Sequence, residues 1–165
     1  MWLFKRRKED AIDFDLASWK EQIPKYVPQI THGKVVDVYD GDSLTIVGKV
    51  AHNPDLFRFS VRIAGIDCPE IRTQNANEKC IAEKARKFTQ GLTLHKTVHL
   101  RNVDLDKYGR LLAQVMVANA DNSTTTTMVN VADALLENRL AVRYNGKTKQ
   151  VPTDWRAFHM GDWVI

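Results

Sequence analysis

The residues best suited to chemistry lie in and directly after one predicted strand. Apolar and polar residues alternate over positions 57–63, which predicts a half-buried strand with Arg62 off its core face. Asp67 and Glu70 follow closely. Pro69 disfavours a helix here and keeps the chain extended, so the two carboxylates can converge on one point. A guanidinium and two carboxylates at a strand end indicate a functional site.

Two other charged turns stand out in the sequence. Asp-Gly at 40–41 predicts a hairpin, and Lys-Tyr-Gly at 107–109 predicts a bend before a strand, so each turn has a structural explanation. Neither explanation requires the charges of Asp42 and Arg110. If the turns meet, Asp42, Asp67 and a backbone carbonyl offer hard oxygen ligands, which favours Ca²⁺ or Mg²⁺ over zinc.

Together these groups would suit the hydrolysis of a phosphodiester. Neighbouring carboxylates repel one another unless a cation lies among them. Arg62 and Arg110 carry planar donors that match a phosphate and the charge that develops in its transition state. Glu70 is then available as a general base or as a group that orients the attacking water.

The length and composition predict one domain with short extensions. The chain has 165 residues, of which 44% are hydrophobic. We expect an N-terminal extension with a short helix over 1–30, a main domain over 31–146, and a tail over 147–165 that packs on it as a short helix. The net charge of +4 favours polyanionic partners only weakly. Cys68 and Cys80 lack zinc spacing, which predicts reduced, buried thiols.

The order of the predicted elements indicates the fold. Three β-prone stretches, a helix that Gly91 can close, two more strands and a second helix capped by Asn130 follow one another. The simplest arrangement is a mainly β, α+β domain, in which a five-stranded OB-fold barrel carries two to three flanking helices. Because such a barrel closes its own sheet, we expect a monomer.

The N-terminal segment leaves alternatives open. It resembles neither a secretory signal nor a membrane span, which predicts an intracellular protein. The segment from Trp2 to Lys8 could make weak contact with an anionic membrane surface or act as a nuclear address. Short basic runs are most often simply solvated.

The charged motifs, taken in order, resemble the staphylococcal nuclease (thermonuclease) family. The resemblance covers about residues 33 to 145. It depends on four motifs: Asp-Gly-Asp-Ser at 40–43, Arg-x-x-Gly-x-Asp-x-Pro-Glu at 62–70, Asp-Lys-Tyr-Gly-Arg at 106–110, and Val-Asn followed by Arg-Leu-Ala within 129–141. It implies a five-stranded OB barrel that hydrolyses DNA and RNA with Ca²⁺, leaving a 3′-phosphate and a 5′-hydroxyl.

The same resemblance implies a role for each matching residue. Metal ligands would be Asp42, Asp67 and the Cys68 carbonyl. Arg62 and Arg110 would hold the scissile phosphate, and Glu70 would act on the attacking water. The implied contacts to substrate phosphates and bases are Lys107, Tyr108 and Tyr144.

The alternative is a catalytically inactive OB-fold module that binds nucleic acid. Such modules bind single strands through basic grooves and stacking. A binding module has no need to keep three carboxylates where a polyanion lies, because they repel phosphate unless a metal is bound. Asp42, Asp67 and Glu70 therefore favour catalysis.

Overall fold

The computed structural model describes residues 23–119, 127–146 and 151–162. In chain order its elements are β1 (His32–Val38), β2 (Ser43–Lys49), β3 (Leu56–Ile63), β4 (Ile66–Asp67), α1 (Ala76–Thr93), β5 (Thr97–Leu105), β6 (Leu111–Ala118), β7 (Met128–Asn130), α2 (Val131–Glu137), β8 (Val142–Arg143) and α3 (Trp155–Met160).

Five of these strands form a closed barrel. They pair in the order β3-β2-β1-β5-β6, and β3 also pairs with β6 in parallel, which closes the sheet. The short β7 continues the sheet beyond β6, and β4 pairs with β8 as a separate two-stranded ribbon. The predicted five-stranded OB-fold barrel with flanking helices is confirmed.

The barrel interior follows the predicted alternation, with one exception in β3. Leu111, Ala113, Val115 and Val117 of β6 are all buried. In β3 the alternation holds only in the second half, because Phe57 is 39% exposed. Pairing with β6 begins at Val61, so the residues before it are covered by the sheet on one edge only.

Both main helices begin at a side-chain cap, and α1 ends later than the sequence predicts. The Asn75 side chain accepts hydrogen bonds at the start of α1, which then runs through Gly91, where an end was predicted. Asn130 caps α2 as predicted. α2 ends at Glu137, and the residue in the left-handed conformation after it is Arg139, at φ 51°.

The C-terminal tail contributes α3 to the core. Trp155 is 4% exposed, and its ring meets that of Phe158 edge-on at 5.8 Å. Residues 1–22 and 163–165 lie outside the described part, so the helix expected within 1–30, the segment from Trp2 to Lys8 and Trp163 are not described. The domain boundaries therefore stay a prediction.

Two further findings concern the length of the helices and the burial of the cysteines. Within the described ranges, none of the helices is both long and apolar enough to cross a membrane. Cys68 is buried and Cys80 is exposed on α1, so the prediction of two buried thiols is wrong for Cys80. Cys80 lies outside the apolar stripe that α1 presents to the barrel.

Candidate active site

The turn between β1 and β2 places Asp42 by packing tightly against its surroundings. A Cβ built on Gly41 would lie 2.7 Å from Cys68 Sγ and 2.8 Å from the Ala85 Cβ, so only glycine fits. The buried Thr89 hydroxyl donates to the Gly41 carbonyl at 2.7 Å. The turn is thereby fixed to α1 and to the segment after β4. Asp-Gly predicts the hairpin correctly, but the glycine is required by close contact rather than by a positive φ.

Asp42 is the buried centre of this cluster, with 2% of its surface exposed. Its Oδ2 accepts a hydrogen bond from the Cys68 amide at 2.7 Å. Its Oδ1 accepts from the Ser43 hydroxyl at 3.1 Å and forms an ion pair with Arg62. Asp42 therefore links the β1–β2 turn to β3 and to the segment that follows β4.

Arg62 lies between two buried carboxylates. Its Nη2 is 2.6 Å from Asp67 Oδ1, and its Nη1 pairs with Asp42. Nη2 also donates to the Ile66 carbonyl at 3.3 Å. Only 15% of the Arg62 side chain is exposed, so these ion pairs are shielded from water. The guanidinium thus supplies the cation that two adjacent carboxylates require.

Two more ionisable groups border this ion-pair cluster. Burial raises the pKa of Asp40, although hydrogen bonds from Ser43 and the charges of Arg62 and Arg110 oppose the shift. Burial also raises the pKa of the Cys68 thiol, against the opposing charge of Arg62. The thiol therefore stays protonated at neutral pH and is not a nucleophile. Asp40 was assigned only to the turn from the sequence; its place in an Asp-Gly-Asp motif was the available signal.

Glu70 stands at the exposed edge of the site, and a residue of α1 holds its backbone. Glu78 Oε1 accepts from the Glu70 amide at 3.1 Å, while its Oε2 accepts from the Thr73 hydroxyl at 2.7 Å. Glu78 lies in the first turn of α1, where a carboxylate is also favoured by the helix dipole. The sequence did not identify this positioning contact, because nothing in the motifs links Glu70 to a residue in the helix.

Arg110 is held by Asp106 at the turn between β5 and β6. Asp106 Oδ2 is 2.6 Å from Arg110 Nε, and Asp106 Oδ1 accepts from the amides of Tyr108 and Arg110. Burial on its own raises the pKa of Asp106, but these hydrogen bonds and the Arg110 charge have the larger effect. The pKa of Asp106 is therefore lowered. Gly109 takes a positive φ of 82°, which completes the bend. Asp106 thus fixes the direction of Arg110.

The aromatic residues predicted to contact substrate lie beside these groups. Tyr108 is 73% exposed, and its ring centroid lies 4.9 Å from Lys107 Nζ and 5.6 Å from Arg110 Cζ. Tyr144 is placed by its amide, which donates to the Gly65 carbonyl at 3.0 Å. In the same region of the chain as Asp40, Arg72 lies over the exposed ring of Tyr39, with its Cζ 5.6 Å from the ring centroid.

One cavity of about 820 Å³ collects these groups, and we call it the acidic pocket. Every residue that the sequence singled out for a role lines it: Asp42, Arg62, Asp67, Cys68, Glu70, Lys107, Tyr108, Arg110 and Tyr144. Asp40 and Asp106 add two further carboxylates. The structure thus brings together four regions that are far apart in sequence, while the individual roles of these residues stay predictions.

The donor chemistry of the acidic pocket fits a hard cation. Asp42 and Asp67 offer carboxylate oxygens at neighbouring buried positions, and no histidine lines the pocket among the described residues. The described residues hold no cluster of three His, Cys, Asp or Glu side chains arranged for a metal. The two aspartates would therefore need main-chain, water or substrate oxygens to complete a coordination shell.

Comparisons with known proteins identify the same family that the charged motifs resemble. The family model described as staphylococcal nuclease homologue matches residues 60–158, a stretch that begins after the Asp40–Ser43 turn. The probable endonuclease LCL3 of Komagataella phaffii strain GS115 is 24% identical over 135 residues, which cover 71% of this chain and 57% of that protein.

Two bacterial relatives are slightly more similar in sequence. The micrococcal nuclease of Shigella flexneri is 29% identical over 124 residues, covering 74% of this chain and 62% of that protein. Protein ParB of Escherichia coli is 30% identical over 112 residues, covering 68% and 56%. The chain thus spans less than two thirds of the length of each of these relatives. Since the family model matches more than half of the chain, the chain belongs to the staphylococcal nuclease homologue family.

Proposed function

We propose that the chain is a Ca²⁺-dependent, sugar-nonspecific nuclease that hydrolyses DNA and RNA to 3′-phosphate and 5′-hydroxyl ends. One observation carries the proposal: the acidic pocket joins buried carboxylates to two arginines and an exposed glutamate. A binding surface for a polyanion gains nothing from this many carboxylates, whereas phosphodiester hydrolysis uses both signs of charge. Nuclease and endonuclease names among the relatives support the same reaction.

The two arginines differ in which of their nitrogen donors are available to a phosphate. Arg110 Nε donates a hydrogen bond to Asp106, which fixes the plane of the guanidinium. Because the guanidinium is planar, the direction of its Nη atoms is fixed as well. Arg62 uses Nη1 and Nη2 on Asp42 and Asp67. We therefore assign the main phosphate contact to Arg110, and to Arg62 a second contact made once its carboxylate partners are neutralised.

Glu70 is the group that we assign to the attacking water. Its exposed position at the mouth of the pocket suits contact with solvent, and Glu78 fixes its backbone. In the proposed reaction a water oxygen bonds to phosphorus while the bond from phosphorus to the 5′ oxygen breaks. The water proton leaves through Glu70, and a proton from solvent completes the 5′-hydroxyl.

Asp42, Asp67 and the Cys68 carbonyl would hold the metal ion. A bound Ca²⁺ would supply positive charge that offsets the phosphate and orients it in the pocket. Lys107, Tyr108 and Tyr144 would contact neighbouring phosphates and bases at the pocket wall. Since the barrel closes its own sheet, we also propose that the enzyme acts as a monomer.

A second function has one observation in its favour. Arg62 already pairs with both Asp42 and Asp67, so these two aspartates have a cationic partner without a metal. A barrel of this kind can bind single-stranded nucleic acid and perform no chemistry.

Cleavage of single-stranded DNA and RNA by the purified chain separates the two functions. Substrate is incubated with Ca²⁺, with Mg²⁺ and with chelator, and the product ends are tested for removal of a 3′-phosphate. The nuclease proposal predicts cleavage in Ca²⁺, loss of it in chelator and 3′-phosphate ends. Salt-sensitive binding without cleavage under any condition would instead support the binding module.

A further inference from the structure

A second cavity lies on the other side of the turn that carries Arg110. It measures about 450 Å³, within the roughly 300–1,000 Å³ that is usual for ligand sites. We call it the tyrosine pocket. Its lining residues come from the N-terminal segment, from β3, from the end of β5 and from the β5–β6 turn: Tyr26, Pro28, Arg58, Phe59, Ser60, Leu105, Tyr108, Gly109, Arg110 and Leu111.

The chemistry of the tyrosine pocket differs from that of the acidic pocket. Its described lining includes two arginines and no carboxylate. Tyr26 and Tyr108 are 72% and 73% exposed, which is more than the intermediate burial that is usual for tyrosine. Exposed rings beside cationic groups are the elements with which proteins bind unpaired bases and phosphates. The pocket is therefore suited to holding nucleic acid and lacks the groups to cleave it.

The two pockets are adjacent. Tyr108 and Arg110 line both of them. Arg58, Ser60 and Arg62 alternate on β3, so their side chains leave the same outer face at intervals of about 6.6 Å. Arg58 and Ser60 line the tyrosine pocket, while Arg62 lines the acidic pocket. A polar strip along one strand thus connects the cavities.

We infer that the tyrosine pocket binds the nucleotides next to the scissile phosphate in the same single strand, and so makes longer strands better substrates. Arg58 contacts a backbone phosphate, and Tyr26 and Tyr108 stack on unpaired bases. This inference rests on the proposed function for the identity of the strand. Single strands are specified because stacking on an exposed ring requires a base released from its pair.

Binding measured in chelator tests the inference without any requirement for cleavage. Fluorescein-labelled single-stranded oligonucleotides, a dinucleotide and a decanucleotide, are titrated with the wild-type chain and with Arg58→Ala by fluorescence anisotropy over a series of salt concentrations. Loss of one phosphate contact predicts that the slope of log K against log salt for the decanucleotide falls by about 0.7. Arg101→Ala removes another exposed arginine, on the outer face of β5 and outside both pockets, and should leave the slope unchanged.

The aromatic contact is tested with two variants at one position. Tyr26→Ala should weaken decanucleotide binding by about tenfold, whereas Tyr26→Phe, which keeps the ring, should bind within about twofold of wild type. With active enzyme, Tyr26→Ala and Arg58→Ala should both reduce the ratio of kcat/KM for the decanucleotide to that for the dinucleotide.

The outcomes separate this inference from the proposed function. A wild-type slope and affinity for Arg58→Ala and Tyr26→Ala would overturn the tyrosine pocket as a binding site, whatever the nuclease activity. Length-dependent binding lost in both variants, in a chain that cleaves nothing, would support the pocket and contradict the nuclease proposal. Equal preference for a duplex of the same length would contradict the assignment to single strands.

Discussion

The acidic pocket and the tyrosine pocket share one wall and differ in almost every other respect. The acidic pocket contains five carboxylates, two of them buried against Arg62. The tyrosine pocket has no acidic residue in its described lining. The β5–β6 turn, with Tyr108 and Arg110, faces both. We conclude that one turn separates a region suited to reaction from a region suited to binding.

This contrast shows why positive charge alone does not identify a nuclease site. Arginines line both pockets, and Arg110, which lines both, pairs with Asp106, but buried carboxylates line only the acidic pocket. A phosphate entering that pocket meets net repulsion unless a cation offsets the aspartates. The tyrosine pocket attracts phosphate without any cofactor. Metal dependence should therefore follow cleavage and not binding.

The largest expected effect comes from Asp42→Asn. The change preserves the shape of the side chain but removes the charge opposite Arg62 and a proposed metal ligand. We expect cleavage to fall by on the order of 10³ or more. In chelator, affinity for single-stranded DNA should stay equal or rise, because a carboxylate near the phosphate has been removed. Lower affinity in chelator would contradict the proposed separation of functions.

Arg110→Ala should affect both regions, since this side chain lines both pockets. Loss of one donor to the transition state predicts a fall in turnover of about 10² to 10³. Binding in chelator should also weaken, unlike the result for Asp42→Asn. Initial rates and anisotropy on the same preparation give both values. Wild-type turnover would remove Arg110 from the catalytic assignment.

Glu70→Gln distinguishes a group that acts on water from a metal ligand. We expect turnover to fall by about 10² to 10⁴, while calcium affinity measured by calorimetry changes little. A pure loss of calcium affinity would make Glu70 a ligand. Glu78→Gln provides a matched control, because its side-chain oxygen can still accept from the Glu70 amide.

Alanine substitutions at two glycines test the effect of an added Cβ, one in close contact at the acidic pocket and one in open space elsewhere. Gly41→Ala should destabilise the fold by about 1–3 kcal/mol, since its Cβ would overlap Cys68 and Ala85. Gly91→Ala places a methyl group in open space within α1 and should stabilise it by about 0.5–1 kcal/mol. Denaturant unfolding of both variants gives the free energies. An unchanged stability for Gly41→Ala would show that the turn can move away from Cys68.

The smallest effect is the pH dependence contributed by Asp106. Its lowered pKa means that its charge stabilises the fold above the ordinary carboxyl pKa, and that this stability is lost as the pH falls through the folded value. Asp106→Asn should therefore be less stable than wild type at neutral pH, and the difference should shrink in acid. Unfolding curves at several pH values measure it. A constant difference would contradict the ion pair with Arg110.

The sequence predicted the barrel because its strands alternate and its turns contain the expected residues. Leu111 to Val117 and the Asp-Gly hairpin illustrate this. The acidic pocket was also predictable, since each charged motif stands at the end of a strand. Individual side-chain contacts were not predictable: neither the hydrogen bond from the Glu70 amide to Glu78 nor the double ion pair of Arg62 follows from spacing. The tyrosine pocket depends on Tyr26 and Arg58, which belong to no motif.

Two errors have the same physical origin. Phe57 is part of a regular alternation but is exposed, because its strand lacks a second partner at that point. Gly91 does not end α1, since the residues around it continue to contact the barrel, with Thr89 and Thr93 buried. In both cases the packing of distant segments decides the outcome, and local patterns do not include it.

The separation of reaction from binding is tested most directly by measuring Asp42→Asn and Arg58→Ala side by side in two assays. One assay follows cleavage of a single-stranded decanucleotide in Ca²⁺, and the other follows its binding in chelator. If the two pockets act separately, Asp42→Asn loses cleavage but keeps binding, whereas Arg58→Ala weakens binding with a reduced salt slope and still cleaves when the substrate is saturating. Parallel losses of cleavage and binding in both variants would contradict this separation, because the two pockets would then act as one site.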